Sequence, residues 1–254
     1  MNILNADGDF NLHTHTKYCD GHDDPEELIQ RALELGFKVL GFSGHEYADY
    51  DLDVCMTREN TLKYRESVLA LKKKYADRIT VRLGIERDYY SEPDDFPYEY
   101  IIGSVHYVKK DGVYISVDDT AEKTQRFVDE YFDGDYRGYV EAYYDTVAGI
   151  IDKTGADIVG HFDIVTKFNE ENRYFDEHST WYKKAALRAL ASVARTRPII
   201  EINTGAMARG YRTRPYPDRF ILDEADRLGC PIILSSDCHN KAELNFGFDR
   251  FCQL

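Results

Sequence analysis

The chain has 254 residues, of which 43% are hydrophobic and 31% are charged, and its formal net charge is −14. This composition provides enough apolar surface for a core and excludes a disordered chain. No run of Lys and Arg offsets the negative charge, which argues against nucleic acid as a partner. The length suits a single α/β barrel and no segment has the composition of a linker, so we expect one domain over residues 1–254.

Seven short apolar or β-branched segments predict buried strands, namely residues 10–13, 38–43, 79–86, 100–106, 157–161, 198–203 and 231–236. Helical patterns lie between most of them, over residues 24–35, 57–75, 120–132, 136–154, 179–195 and 217–228. The first helix is the clearest, because Asp24 can cap it and Pro25 can occupy its first position. Strands that alternate with helices predict a parallel sheet with covered faces. Such short strands favour a closed or nearly closed barrel, although an open doubly wound sheet would give a similar pattern.

Potential metal ligands follow nearly every predicted strand. In chain order, the strand ends carry His13 with His15, then His45, Glu86, His106, His161, and finally Asp237 with His239. The carboxyl ends of parallel barrel strands form one face, where active sites lie, so these side chains should converge. Six of the eight histidines fall at these ends, which random scattering would rarely produce.

The spacing within two of the motifs has a direct geometric meaning. Side chains at positions i and i+2 of an extended segment point the same way and lie roughly 6.5 to 7 Å apart. His13 and His15 can therefore bind one ion together, and Asp237 and His239 share a side by the same rule. Cys238, which lies between them, should turn away as a small core residue.

The number of candidate ligands bounds the number of metal ions. With Asp20 there are nine candidates, more than one or two four- or five-coordinate ions with open positions can use. We therefore expect about three divalent ions, with Glu86 bridging two of them. Imidazole and carboxylate ligands without thiolate suit zinc, iron or manganese.

The chain resembles the PHP (polymerase and histidinol phosphatase) superfamily and, within it, the histidinol-phosphatase branch. The motifs that carry the resemblance are HTHTKYCDG (13–21), GFSGHEY (41–47), GIERDYY (84–90), IIGSVHYV (101–108), VGHFDIVTKF (159–168), EINTGAMARGYRTRPYP (201–217) and SSDCH (235–239). They extend over essentially the whole chain. The resemblance implies a distorted (β/α)7 barrel of PHP type and a site for three metal ions.

The resemblance also implies a ligand set for each ion. It assigns His13, His15, Glu86 and Asp237 to the first ion, Glu86, His106 and His161 to the second, and Asp20, His45 and His239 to the third. Some relatives use a histidine near the position of Asp20, which leaves His22 as an alternative ligand. Related sequences commonly have Asp before the histidine of the second motif, where this chain has Gly44, and Glu46 is a candidate to replace that carboxylate.

The resemblance further implies a phosphatase acting on a small phosphate ester, with L-histidinol phosphate as the expected substrate. A hydroxide that bridges the first two ions, held by Glu86, His106, His161 and Asp237, would attack phosphorus. We expect Arg209 to bind the phosphate, because guanidinium matches phosphate bidentately, with Arg212, Arg214 and Lys167 as weaker candidates. Asp163 or Glu46 could bind the ammonium and imidazole groups of the substrate.

Three other readings remain open at this stage. A nucleic-acid phosphoesterase of the same superfamily would favour a basic groove, which the acidic composition does not provide. A zinc amidohydrolase also begins with H-x-H but usually bridges its metals with a lysine. A non-catalytic metal-binding protein would hold its metal in closed coordination.

The sequence also carries signals about the compartment. The N-terminus lacks a basic segment followed by a long apolar run, and there is no stretch of 18 apolar residues to indicate a membrane partner. The five cysteines form neither a C-x-x-C pair nor a closely spaced framework. We therefore expect a soluble, cytoplasmic protein without disulfides.

Overall fold

The computed structural model describes residue 1 and residues 3–252, and all seven predicted strands are present in it. The strands are β1 (Phe10–Asn11), β2 (Val39–Phe42), β3 (Thr80–Leu83), β4 (Ile85–Asp88), β5 (Ile101–Ser104), β6 (Tyr107–Lys110), β7 (Val113–Ser116), β8 (Ile158–Val159), β9 (Ile199–Asn203) and β10 (Ile232–Ser235). The predicted segment 79–86 forms both β3 and β4, which are separated only by Gly84. Strands β6 and β7 form an antiparallel hairpin that the sequence analysis did not predict.

The parallel strands close into a ring of seven when β3 and β4 are counted as one interrupted strand, and a parallel bridge between His45 and Glu86 continues the pairing from the end of β2 to β4. Strands β1, β2 and β3 pair in that order, and β4, β5, β8, β9 and β10 pair in the order given. A parallel bridge between Thr14 and Cys238 joins the end of β1 to the end of β10, and the amide of His15 donates to the carbonyl of Cys238 at 2.9 Å. The fold is therefore the distorted (β/α)7 barrel that was predicted, and the alternative of an open sheet is wrong for the described residues.

The break between β3 and β4 has a packing cause. The ring of Tyr100 crosses the barrel interior so closely that a Cβ atom at Gly84 would lie 2.3 Å from its Cζ atom. Its hydroxyl donates to the carbonyl of Phe42 at 2.9 Å. Only glycine leaves room for this ring, and the strand resumes at Ile85, which directs Glu86 towards the carboxyl face.

Nine helices cover the barrel in the described residues. They are α1 (Pro25–Glu34), α2 (Arg58–Lys74), α3 (Ala121–Phe132), α4 (Tyr136–Val147), α5 (Ile150–Thr154), α6 (Thr180–Val193), α7 (Gly205–Ala208), α8 (Arg219–Arg227) and α9 (Phe248–Phe251). Helix α1 begins as predicted, because the Asp24 side chain accepts from the amide of Glu26 and the Glu27 side chain accepts from the amide of Asp24. None of these helices combines the length and apolar character needed to cross a membrane.

The prediction of one helix over residues 136–154 is wrong, because the chain breaks between α4 and α5. A Cβ atom at Gly149 would lie 3.3 Å from the ring of Tyr89, so the chain passes this ring closely before it turns. After the break, α5 packs against β5, where a Cβ atom at Gly103 would lie 3.0 Å from the side chain of Ile150. The redirected helix leads the chain into β8 and so places His161 at the carboxyl face.

Candidate metal centre

The first group of candidate ligands meets where β1, β4 and β10 end. The Nε2 atom of His13 lies 3.2 Å from Oε2 of Glu86 and 3.5 Å from Oδ1 of Asp237. The Nε2 atom of His15 lies 3.4 Å and 3.2 Å from the same two oxygens. All four side chains are buried, so these two nitrogens and two oxygens face a single small volume.

The second group lies on the other oxygen of Glu86. Its Oε1 atom is 3.0 Å from Nε2 of His161 and 3.5 Å from Nε2 of His106. The two imidazole nitrogens are 3.2 Å apart. The carboxylate of Glu86 therefore faces one group with each oxygen, which is the geometry of a bridging ligand.

The third group contains Asp20, His45 and His239. Asp20 contacts Nε2 of His239 through Oδ2 at 3.1 Å and Nε2 of His45 through Oδ1 at 3.6 Å. The side chain of His22 is exposed, and its backbone amide donates to the carbonyl of His239 at 2.8 Å. The structure therefore places Asp20, and not His22, in this group.

The chemistry of these residues fits divalent metal ions. Five of their atoms are buried without a hydrogen-bond partner among the described residues, namely Nε2 of His13, Nε2 of His15, Oε2 of Glu86, Oδ1 of Asp20 and Nδ1 of His161. Buried polar atoms without partners are costly, and bound cations would satisfy the first four of these atoms. Three sets of potential ligand atoms each lie within 4.8 Å of one another. The sets belong to His15, Asp20, His45 and His239, to His13, His15 and Glu86, and to His45, Glu86 and His106.

The electrostatics of the site keep its carboxylates ionised. Burial opposes the charged form of Glu86, but His13, His45 and His106 outweigh this cost and hold its pKa well below the ordinary value. Burial likewise opposes ionisation of Asp237, but His13 and Arg209 hold its pKa well below the ordinary range. Ionised carboxylates are the form that binds cations.

Several buried side chains fix the orientation of the candidate ligands. The hydroxyl of Ser104 donates to Oε1 of Glu86 at 2.6 Å. Asp88 lies 3.4 Å from Nδ1 of His106, and Glu201 lies 2.6 Å from Nδ1 of His13. The sequence analysis assigned no role to these three residues. Glu201 carries one signal that could have identified it, because it is a carboxylate within an otherwise apolar strand segment.

Seven of the nine candidate ligands form the floor of a cavity of about 460 Å³, and the other two, His13 and His15, are fully buried outside its lining. Two of the predicted phosphate-binding residues, Arg209 and Lys167, line it. Arg209 donates through Nη1 to the carbonyl of Asp237 at 2.9 Å and through Nη2 to its Oδ2 at 3.2 Å. The ammonium of Lys167 donates to the carbonyl of Asp118 at 2.6 Å. Arg209 therefore contacts a candidate metal ligand, and Lys167 lies on the same cavity.

Arg212 does not line the cavity, contrary to the expectation that it contacts the substrate. Its buried guanidinium donates to the carbonyl of Thr166 at 2.7 Å and forms an ion pair with Glu177 at 3.1 Å. A second ion pair joins it to Glu170 at 3.2 Å. These contacts tie the segment that follows β9 to the segment that follows β8, and they hold the Arg212 side chain outside the cavity lining.

Asp163 is also absent from the cavity lining. It is 2% exposed, and its Oδ2 accepts from the amide of Asp218 at 2.9 Å, so it does not face a bound substrate. Burial raises the pKa of Asp163 from 3.8 to about 7, against the opposing effects of the Asp218 amide and Arg212.

The raised pKa of Asp163 predicts a pH-dependent stability. Between pH 4 and 7 the folded chain holds a proton on Asp163 that the unfolded chain has lost, so the free energy of unfolding should fall as pH rises through this window. Asp163→Asn removes the ionisation while keeping an acceptor for the Asp218 amide. We expect this variant to be more stable than the wild type at pH 8, by up to about 4 kcal/mol, and similar to it near pH 4. Urea unfolding of both proteins across this range measures the difference, and a difference that does not vary with pH would contradict the prediction.

The wall of the cavity beyond the candidate ligands is acidic. Asp51, Asp53, Asp118 and Asp119 all line it. Asp51 accepts a hydrogen bond from the hydroxyl of Tyr107, at the start of the β6–β7 hairpin. The cavity thus combines Arg209 on Asp237 with a wall of carboxylates, of which Asp118 pairs with Lys167 and Asp119 pairs with Lys123.

Glu46 does not supply the carboxylate that Gly44 lacks. The carboxylate of Glu46 forms a bidentate ion pair with Arg87, at 2.7 and 2.9 Å, and accepts from Ser91. A Cβ atom at Gly44 would lie 3.3 Å from both Cys19 Sγ and Met56 Cε. Sulfur-bearing side chains therefore crowd the space into which a larger residue at position 44 would extend.

Comparisons with known proteins agree with this geometry. The PHP domain family model matches residues 11–205. A probable histidinol-phosphatase of Deinococcus radiodurans is 31% identical over 93% of this chain and 88% of that protein. The crystal structure of a putative histidinol phosphatase from Listeria monocytogenes superposes with a TM-score of 0.81 at 24% identity, covering 96% of this chain and all of that one. The histidinol phosphate phosphatase of Lactococcus lactis, solved with zinc, L-histidinol and phosphate, gives a TM-score of 0.65 at 19% identity over 96% of this chain and 92% of that one.

Proposed function

The chain belongs to the PHP domain family, and we propose that it is a histidinol-phosphatase, which hydrolyses L-histidinol phosphate to L-histidinol and phosphate in histidine biosynthesis. The proposal treats residues 1–254 as one phosphoesterase domain in the cytoplasm. The observation that carries it is Glu86, whose two oxygens face two groups of histidines at the floor of a cavity that also contains Arg209 and Lys167.

The proposed centre holds about three divalent ions, of zinc, iron or manganese. His13, His15, Glu86 and Asp237 would hold the first, Glu86 with His106 and His161 the second, and Asp20 with His45 and His239 the third. Bound divalent ions lower the pKa of water towards neutrality and neutralise charge on phosphoryl oxygens. The solved relative that contains zinc supports this choice of metal type.

The side chains of this protein contribute position and charge to the reaction. The guanidinium of Arg209, held on Asp237, can direct donors at phosphoryl oxygens, and Lys167 adds a second positive charge on the same cavity. Ser104 fixes the carboxylate of Glu86, so that its two oxygens keep their orientations. Preorganised donors of this kind stabilise the charge that develops in phosphoryl transfer.

The acidic wall suits the rest of the substrate. L-Histidinol phosphate carries an ammonium and an imidazole in addition to its phosphate, and Asp51, Asp53, Asp118 and Asp119 line the cavity beyond its floor. Carboxylates there would attract the cationic end and repel esters with anionic alcohols. Asp163 lies outside the cavity, whereas Glu46 lines it with its carboxylate paired to Arg87.

The proposal predicts metal dependence and selectivity together. Chelation should reduce phosphate release from L-histidinol phosphate by at least roughly 100-fold, and zinc, manganese or iron should restore it. Glycerol phosphate, which lacks the cationic groups, should be hydrolysed with a kcat/KM lower by roughly 100-fold. Elemental analysis of the purified protein, combined with a phosphate-release panel that also contains nucleotides and a DNA 3′ end, measures both. Turnover that survives complete metal removal, or a preference for the nucleotide or DNA substrate, would contradict the proposal.

A further inference from the structure

Glu201 is a fully buried carboxylate on β9 that contacts two different groups of candidate ligands. Its Oε1 lies 2.6 Å from Nδ1 of His13, a member of the first group. Its Oε2 accepts from the backbone amide of His161, a member of the second group, at 2.8 Å. The same oxygen accepts from Nδ2 of Asn203 at 2.9 Å, so Glu201 has partners on both of its oxygens.

The contact with His13 determines which of its ring nitrogens can bind a metal. A neutral imidazole carries one proton, and a carboxylate next to Nδ1 places that proton on Nδ1. The lone pair of Nε2 is then free, and this nitrogen is the one that faces Glu86 at 3.2 Å and Asp237 at 3.5 Å. If the proton moved to Nε2, His13 could not bind a cation there.

The contact with the His161 amide constrains the position of the second group of candidate ligands. His161 is the second residue after β8, and the hydrogen bond from its amide to Glu201 ties this segment to β9 at the point where the His161 side chain turns towards Glu86. The Nδ1 atom of His161 has no hydrogen-bond partner of its own in the described residues. The backbone hydrogen bond to Glu201 is therefore a main constraint on where this ligand lies.

We propose that Glu201 is a positioning residue that holds His13 in the Nδ1–H tautomer and simultaneously anchors the strand end that carries His161. This inference rests on the proposed metal centre. It means that one buried carboxylate links the assembly of the first two metal sites. Its loss should weaken metal binding even though Glu201 itself binds neither metal nor substrate.

Glu201→Gln is a sharp test because it conserves shape but leaves one acceptor oxygen for three donors. That oxygen can accept from His13, or else from the His161 amide and Asn203. In either case the amide nitrogen of glutamine faces the remaining donor or donors, with which it cannot form a hydrogen bond. We expect zinc affinity, measured by chelator competition on the metal-free protein, to fall by about 10- to 100-fold for at least one ion. Glu177→Gln is the matched control, because Glu177 is equally buried but contacts Arg212 and Asn169 and none of the candidate ligands. Its zinc affinity should equal that of the wild type.

A second measurement, made on the wild type, does not require Glu201→Gln to fold. In the zinc-loaded wild type, proton NMR should show an exchange-protected Nδ1–H resonance of His13, shifted downfield by its hydrogen bond to a carboxylate and assigned by its absence in His13→Gln. A proton on Nε2 of His13 instead would overturn the proposal, as would an unchanged zinc affinity in folded Glu201→Gln. Neither readout requires substrate, so a wild type that binds zinc but does not hydrolyse L-histidinol phosphate would contradict the proposed function alone. A wild type that binds none of zinc, iron and manganese would overturn both.

Discussion

Glu86→Gln is expected to reduce turnover of L-histidinol phosphate by at least roughly 1,000-fold and to release metal. Oε2 of Glu86 faces His13 and His15 while Oε1 faces His106 and His161, so the substitution affects both groups at once. Glutamine has nearly the same shape, but it has no negative charge, and its amide nitrogen presents hydrogens where a cation requires a lone pair. The two groups of imidazoles would then lack the carboxylate that joins them, and both ions would be bound less tightly.

The measurement combines elemental analysis with phosphate release on the same preparation. Glu99→Gln is the control, because Glu99 is also a carboxylate near the barrel strands but pairs with Lys72 and Arg82 and does not line the cavity. We expect this control to keep its metal content and turnover. A Glu86→Gln variant that retained the metal content and turnover of the wild type would show that Glu86 bridges nothing.

The strands and the convergence of the nine side chains could be predicted because both follow from local rules. Short β-branched runs become buried strands, and the carboxyl ends of parallel strands share one face. The i, i+2 rule also predicts that the small residues between two ligands, Thr14 and Cys238, face away from the metal site. The hydroxyl of Thr14 donates to the carbonyl of Gly41. Cys238 is fully buried, and its thiol donates to the carbonyl of Asn240. Both side chains therefore turn away from the candidate ligands beside them.

The roles of the arginines could not be predicted because they depend on contacts between distant loops. Arg209 and Arg212 lie three positions apart in the segment after β9, and their spacing does not reveal which one faces the cavity. Glu177, which lies in the preceding loop between β8 and α6, pairs with Arg212 and removes it from the site. Gly205 leaves room for Arg209, since a Cβ atom there would lie 2.9 Å from its Nη2.

Glu201 illustrates a different limit of sequence reasoning. Its strand position is predictable, but its partner His13 lies 188 residues earlier in the chain, at the carboxyl end of β1. In the barrel, β10 lies between β1 and β9. Only the order of strands in the closed ring brings β9 next to this histidine. A charged residue in an apolar strand signals that a partner must exist, but it does not identify the partner.

Arg209→Ala is expected to raise KM for L-histidinol phosphate and to lower kcat/KM by roughly 100-fold without releasing metal. The side chain of Arg209 is 26% exposed and lines the cavity, and the hydrogen bonds of its guanidinium to the carbonyl and Oδ2 of Asp237 fix its plane. A fixed fork of donors can bind two phosphoryl oxygens at once. Metal should stay bound, because Asp237 faces His13 and His15 with its other oxygen, Oδ1.

Arg209→Lys separates the charge of this residue from its geometry. Lysine keeps the positive charge but has no planar fork of donors. The kcat/KM of Arg209→Lys should therefore be roughly 10-fold below that of the wild type and above that of Arg209→Ala. Arg219→Ala, which removes an exposed arginine paired with Asp223 outside the cavity, should behave as the wild type does. Steady-state kinetics with elemental analysis on all three variants test the assignment. An unchanged KM in Arg209→Ala would remove Arg209 from phosphate binding, and a loss of metal would show that it acts through Asp237 instead.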